Sequence, residues 1–418
     1  MQVRRLFFVV PLSLLLSLAG CASAPGKPVP ILATVPSGEL QWIGDLPVIR
    51  LHGTPYDMGY QHGSLLRAQV RASVRNVMAF ADRQAGIPGM GRWLVRRRLD
   101  KAWSQMEPFV PAHALEEMQG LADGAGIPLK ALERIHALPD LTSATCASFA
   151  ASGAATRDGR LIHIRNLDWA IQSGVQSYAA LMVVEPNGGR PFVNIGWLGF
   201  IGVITGINQQ GISVSEIGAK TVDTKLEGIP MPFLLRRVLE EAGDLDKAVE
   251  IVKAGPRTGG YNYLFGDAKA RTAVALETTR NHCAVFRIDE EPSVPYSLHV
   301  PNAIFRSDWS LDPEVRNLQL ASNGRPSLRG LESPRGSSAY EVRYHGQGAL
   351  LLRFQGSLDP EVGMAIARAI APSSNIQSVV YAYPQIWVAN ASGRHPAAGG
   401  RFLQVDLEEL FSSRKRNE

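Results

Sequence analysis

The sequence predicts an α+β fold, with helices and antiparallel strands gathered into separate runs instead of alternating one by one. Three observations carry that expectation. Residues 46–140 read mainly as helix, and from Cys146 onward short β-like runs are separated by Gly-containing turns. No internal repeat of about 20–50 residues points to a solenoid or a propeller.

The first element is a strand-like run, LPVIRLHG. It leads into GTPYDMGYQHGSLLRAQVRASVRNVMAFADRQ, where Leu65, Leu66, Val70, Val74, Val77 and Met78 recur at helical spacing. A helical segment around residues 102–106 follows the arginines 92, 96, 97 and 98, which read as a solvated helix face. HALEEMQGLADGAG reads as a helix ended by Gly, and IPLKALERIHALPD as another. Strands are then expected at CASFAA, RLIHIRNLDW, YAALMVVEP, RPFVNIGWLG, FIGVITGI and ISVSEIGA, joined through RDG, NGG and NQQG. MPFLLRRVLEEAGDLDKAVEIVK reads as a helix with Leu234, Leu235, Val238 and Leu239 on one face. YNYLFGDAK, TAVALETTR and HCAVFRID read as hairpin strands, and SSAYEVRYHGQGALLLRF as helix. SVVYAYPQIWVANAS and RFLQVDLEELF supply the last strands.

A chain of 418 residues, 45% hydrophobic and 19% charged, suits a globular protein of one large or two ordinary domains. The net charge of +5 is modest. Without a dense Lys/Arg stripe or a nucleic-acid motif, DNA and RNA are not expected as partners. The first twenty residues look like an export signal: Arg4 and Arg5, then an apolar stretch too short to span a membrane as a mature helix. Leu18-Ala19-Gly20-Cys21 resembles a bacterial lipoprotein site, with Cys21 as the lipidated residue; the bland alternative is a plain secretion signal. With Ala22 following, a Gram-negative cell would send such a lipoprotein to the outer membrane, so the expected location is the cell envelope. The expected boundaries are a signal at 1–20, a flexible tether at 21–45 around SAPGKPVP, a helical segment at 46–145 and a core at 146–418.

Three cysteines are present. With Cys21 lipidated, Cys146 and Cys283 remain in an oxidising compartment, where a bridge is conceivable. Two unpaired residues are expected instead, Cys146 reactive and Cys283 in the core. The histidines show no ligand spacing, so neither a metal nor any other cofactor is expected. His163 reads as a structural strand residue, and Asn208 as a turn residue.

The stretch around Cys146 carries a resemblance. CASFAASGAATRDGRLIHIRNLDW is similar to the nucleophile region of the acyl-coenzyme A:6-aminopenicillanic-acid acyltransferase-like (isopenicillin-N acyltransferase-like) N-terminal-nucleophile hydrolases. Choloylglycine hydrolases and penicillin V acylases are more distant. LHGTPYDMGYQHG, at 51–63, resembles the pro-segment motif of the acyltransferase subgroup, and TGINQQGISVS resembles the family's G-[MI]-N-x-x-G-[LI] turn. Three motifs in the right order, over roughly residues 48–410, make the resemblance specific. It implies a four-layer αββα sandwich of two stacked antiparallel sheets and a mainly helical pro-segment. It also implies self-cleavage between Thr145 and Cys146, the two resulting chains staying together.

The chemistry explains the residue types. A thiol is a weak nucleophile until a base takes its proton. A freed α-amine, with a reference pKa of about 7.7–8.0, is a base suited to that work and can return the proton to a leaving amine. By the resemblance, Asp168 holds that amine and Arg165 sits beside the sulfur. The two are three residues apart and cannot share a face of a regular strand. Also by resemblance, Asn302 in LHVPNAIFR supplies a donor to the oxyanion and Arg343 in SSAYEVRYH braces the site, although Pro-Asn-Ala is a loose match to the family's pattern. Asn262, in GGYNYLFGD, is a candidate for lining the substrate pocket. The expected reaction is cleavage of a small linear amide, or transfer of its acyl group, through an S-acyl-enzyme at Cys146. A coenzyme-A-dependent N-acyltransferase and a non-catalytic ligand-binding lipoprotein on the same fold stand as alternatives.

Overall fold

The architecture follows from two antiparallel sheets, each pressing one face on the other. In the computed structural model, residues 29–35, 38–83, 90–142, 145–290, 292–322, 339–391 and 396–412 are described. In chain order the N-terminal part runs β1 (Val29–Val35), β2 (Gly38–Ile43), β3 (Leu46–Gly53), α1 (Pro55–Leu65), α2 (Arg67–Arg83), α3 (Met90–Met106), α4 (Ala112–Ala125) and α5 (Leu129–Leu141). Next come β4 (Thr145–Gly153), β5 (Gly159–Asp168), β6 (Ala179–Pro186), β7 (Phe192–Trp197), β8 (Thr205–Asn208), β9 (Ile212–Gly218), α6 (Met231–Glu241) and α7 (Leu245–Ala254). The chain continues through β10 (Tyr261–Asp267), β11 (Thr272–Thr278), β12 (Cys283–Arg287), β13 (Ala303–Arg306), α8 (Pro313–Ser322), α9 (Ala339–Arg353) and α10 (Pro360–Ile370). It closes with β14 (Asn375–Ala382), β15 (Gln385–Asn390), β16 (Leu403–Asp406) and α11 (Leu407–Ser412).

One sheet has the order β1-β2-β3-β6-β7-β8-β9-β10-β11-β12, and the other β13-β4-β5-β14-β15-β16. Every pairing is antiparallel except β3 with β6. Between the sheets, Leu181, Val183, Val193 and Ile195 pack against Val379, Tyr381, Ile386 and Val388. On the outer face of the larger sheet, α1, α6 and α7 cover β3, β9 and β10; α9 and α10 cover β13, β5 and β14 of the smaller one. The expected αββα layering is thus present. Among the described residues, no helix is long and apolar enough to cross a membrane.

Several boundaries differ from the sequence expectation, each for a physical reason. The tether expected at 21–45 is partly strand, because β1 and β2 pair with each other and β2 pairs with β3. The strand-like run LPVIRLHG is β3, which lies inside the large sheet against β6. The single helix expected over MPFLLRRVLEEAGDLDKAVEIVK is two, because the Asp244 carboxylate caps a fresh helix by accepting from Lys247 N. RFLQVDLEELF is strand only to Asp406 and then turns into α11. Cys283 is half-buried on edge strand β12, not in the core, and both it and Cys146 are free thiols. Cys21 lies outside the described residues.

The motif GTPYDMGYQHG has a local explanation. Thr54 caps α1 by accepting from Asp57 N at 3.2 Å, Asp57 Oδ2 accepts from Thr54 N at 3.1 Å, and Pro55 opens the helix. Gly59 and Gly63 of α1, with Gly120 and Gly124 of α4, let the two helices touch backbone to backbone. A Cβ at Gly59 would lie 1.9 Å from Glu117 O, and one at Gly120 would lie 2.1 Å from Tyr56 O. Gly59→Ala should therefore force α1 and α4 apart and cost about 1–3 kcal/mol or more, read as a lower urea midpoint. A variant as stable as the parent would show that this contact is not needed.

Candidate active site

Cys146 is the second residue of β4 and is fully buried. Its strand pairs with β5 in a register that sets Cys146 opposite Leu167, Ser148 opposite Arg165 and Thr145 opposite Asp168. Alternation then sends Arg165 and Asp168 to opposite faces, as the three-residue spacing requires. Arg165 Nη2 approaches Cys146 Sγ at 3.8 Å and donates to Glu216 Oε2 at 3.2 Å, while Nη1 donates to the Glu216 carbonyl. On the other face, Asp168 accepts from Arg343 Nη1 at 2.5 Å and from Asn375 Nδ2 at 3.1 Å.

The backbone nitrogen of Cys146 is held by a residue that sequence reasoning missed. Cys146 N donates to Asp308 Oδ1 at 2.8 Å, and the other oxygen of Asp308 is buried without a partner. Asp308, not Asp168, therefore touches that nitrogen in the intact chain. Burial pushes the Asp308 carboxyl well above its usual range, with Arg343 acting against the rise. Burial likewise raises Glu216, opposed by Arg165, and raises Asp168 to about 6, opposed by Arg343. Burial also pushes the Cys146 thiol up, again opposed by Arg165. Three carboxyls thus share two guanidinium groups. Glu216 and Asp168 each hold an ion pair and, among the described residues, Asp308 holds none, so Asp308 is the carboxyl that burial favours as the neutral acid.

Two expected site residues lie elsewhere. Asn302 does not reach the thiol. Its carbonyl accepts from Ser152 N at 3.0 Å, six residues along β4 from Cys146, or about 20 Å at strand rise. It is a left-handed turn residue (φ 56) whose N–H donates to Asp289. Asn262 does not line the cavity beside Cys146. Its Nδ2 donates to the carbonyls of Ser307 and Trp309, and its Oδ1 accepts from Ser310 Oγ, so it fixes the loop that carries Asp308. His163 stays structural: burial lowers it to about 3, and three serines, Ser148, Ser213 and Ser215, surround its ring. Among the described residues, no group of side chains is arranged to hold a metal ion.

Beside Thr145, Glu216 and Asp308 opens a cavity walled mainly by apolar side chains, among them Leu138, Trp169, Trp197, Phe200, Ile204 and Met231. Two buried histidines hold one wall: Gly199 N donates to His62 Nε2 at 3.0 Å and Ile201 N to His136 Nε2 at 3.1 Å, bracketing Phe200. Burial lowers these rings to about 3 and about 4, so both remain neutral acceptors around pH 7. The signal for Glu216 was legible but went unused: an acid interrupts the apolar alternation Ile212, Val214 in strand β9. Asp308 had no such signal, since it lies in a loop.

With this geometry in place, residues 155–299 match the family model described as acyl-coenzyme A:6-aminopenicillanic acid acyl-transferase. The middle of the chain is similar to this acyl-transferase family. Protein dcd1B of Dictyostelium discoideum is 30% identical over 65% of the chain, which spans only 58% of that protein's length. Protein dcd1A of the same organism is 25% identical over 90% of the chain and 89% of its own length. The N-acylethanolamine-hydrolyzing acid amidase of Rattus norvegicus is 25% identical over 64% of the chain and 70% of its length. The stretch CASFAASGAATRDGRLIHIRNLDW overlaps that match from Ala155 onward.

The two displaced asparagines separate by mutation. Asn262→Ala removes three buried hydrogen bonds and should cost about 1–3 kcal/mol while loosening Asp308. Asn302→Gly keeps the turn and should leave turnover of any amide substrate unchanged. Loss of turnover in Asn302→Gly, measured beside the parent protein, would return Asn302 to the site.

Proposed function

We propose that this chain is an autoprocessed cysteine amidase, and the observation that carries the reading is the pair of groups on Cys146. Arg165 lies beside its sulfur and Asp308 on its nitrogen, at the mouth of an apolar cavity. In the intact chain, Sγ attacks the Thr145 carbonyl and the peptide nitrogen takes the thiol proton, leaving a thioester and a free α-amine. Water then cleaves the thioester, freeing the Thr145 carboxylate and the thiol. The product is a chain ending at Thr145, paired with one beginning at Cys146.

The mature site works with the same atoms. The α-amine takes the thiol proton, and sulfur attacks the substrate carbonyl. The neutral Asp308 acid offers its free oxygen's proton as a hydrogen bond to the oxyanion, in the role first expected of Asn302. The α-ammonium returns the proton to the leaving amine, and water then releases the acyl group as a carboxylic acid. Arg165 offsets negative charge at sulfur, while Asp168, paired with Arg343, stabilises the α-ammonium electrostatically. The apolar wall suits an apolar acyl group, and water as acceptor makes the enzyme a hydrolase. No coenzyme enters these steps. Lipidation at Cys21 and an envelope location belong to the same proposal and rest on the N-terminal sequence.

Intact mass tests the first step. The expected result is two fragments meeting at Thr145 and Cys146, absent in Cys146→Ala; an uncleaved wild-type chain that also leaves a panel of N-acyl amides intact would sink the reading. A pH profile tests the second. Catalysis needs Asp168 ionised, so kcat/KM should fall as pH drops through about 6. Arg343→Met removes the cation opposing protonation and should shift that fall to higher pH. An unmoved acid limb would separate Asp168 from catalysis.

A further inference from the structure

One buried acid has no part in the chemistry above. Asp140, near the end of α5, is 5% exposed and lines the same apolar cavity. Its Oδ1 is crowded with neutral donors: Thr258 Oγ1 at 2.5 Å, Met231 N at 3.2 Å and the Tyr261 hydroxyl at 3.4 Å. Its Oδ2 is buried with no donor at all. Among the described residues it forms no ion pair, in contrast to Asp168, Glu216, Glu117 and Glu277, which each face an arginine. Three neutral donors on one oxygen favour the ionised form, while burial opposes it, and together they set the group at about 6. Near neutral pH the group is therefore mostly an anion, in a low-dielectric wall, with one oxygen facing no donor. Such an arrangement is costly unless a cation completes it.

The position of Asp140 tells where that cation would sit. Tyr261, one of its donors, stands opposite Gly218 in the large sheet, and Tyr263 stands opposite Glu216. Alternate residues of a strand share a face about 7 Å apart, so this subsite lies one such step from the Glu216–Arg165–Cys146 cluster. The Asp140 charge is close enough to push the Glu216 carboxyl up. Glu216, Asp308 and Lys220 also line this cavity, whose walls are otherwise mainly apolar.

We propose that Asp140, held by Thr258 and Tyr261, is a specificity group that binds a protonated primary amine carried by the substrate's acyl chain. The inference rests on the amidase reading for its use, but the binding site exists independently of turnover. The substrate class is then an amide of an amino-substituted aliphatic acid, its amine a few bonds from the scissile carbonyl. Neutral fatty acyl amides fit the apolar wall but leave Oδ2 without its donor, and they are the weaker substrates.

Two measurements keep the two proposals apart. In the full-length Cys146→Ala chain, where no reaction follows binding, calorimetry with hexylammonium and with 1-hexanol should show the ammonium bound at least tenfold more tightly. Asp140→Asn, which preserves shape and removes charge, should bring that ratio close to one. Ratios near one in both forms overturn the proposal, as does a preference for the alcohol. Should Asp140→Asn melt early, the ratio in the parent Cys146→Ala chain, together with Thr258→Val, decides: a ratio that falls in Thr258→Val supports the subsite. In the processed wild-type enzyme, kcat/KM for a series of aminoacyl anilides should exceed that of their methyl-for-amine counterparts at one amine position at least. Selective ammonium binding with no anilide turnover would spare the subsite and count against the amidase reading. Turnover that is indifferent to the amine at every position would leave the amidase standing and overturn the subsite.

Discussion

The site depends on a buried guanidinium. Arg165 reaches from the small sheet to the large one and joins Cys146 Sγ to Glu216, in surroundings from which water is excluded. Taking an arginine out of water is expensive unless its hydrogens are used, and here Glu216 accepts from both terminal nitrogens, through its carbonyl and its carboxylate, while Nε has no partner among the described residues. The register of β4 against β5 fixes where the sulfur stands relative to that charge. A slip of one residue would turn Cys146 to the other face, and the site would be lost.

Around this contact the charges are counted closely. Asp168 draws on Arg343 from helix α9, and Glu216 on Arg165, which leaves Asp308 as the carboxyl with no cation of its own. Its neutral partners are the Cys146 nitrogen and the loop that Asn262 anchors. In the proposed mechanism, the nitrogen that a carboxyl holds in the intact chain becomes the base after cleavage. Asp140 repeats the pattern at a distance: a buried acid with donors on one oxygen only, on the wall of a cavity otherwise apolar.

The residues before Thr145 do more than lead into β4. Helices α1 and α4 meet through glycines, and α1 and α5 supply His62 and His136, which hold the cavity wall around Phe200. Asp140 and Leu138 come from α5 itself. If the bond at Thr145 is cut, the mature pocket still requires the first fragment to stay docked, which the large shared core of α1–α5 with β6, β7 and β9 favours.

The sequence by itself determined the layered α+β class and the neighbourhood of Cys146, in which Arg165 stands beside the sulfur. Hydrophobic period, turn residues and the Cys146-to-Asp168 motif are local signals, carried by residues close together in the chain. Arg343 was expected, through resemblance alone, to brace the site, and the fold sets it against Asp168. The sequence misplaced Asn302 and Asn262, because a loop asparagine reads the same whether it faces a thiol, a turn or a neighbouring loop. Only the tertiary structure decided for Asp308 and Asp140, and only it gave Glu216, the acid visible in the alternation of β9, its partner Arg165. Asp308 is 162 residues from its partner Cys146, and Thr258 is 118 from Asp140. Such contacts depend on which strands pair and in what register, and long-range register leaves no mark in any short stretch of sequence.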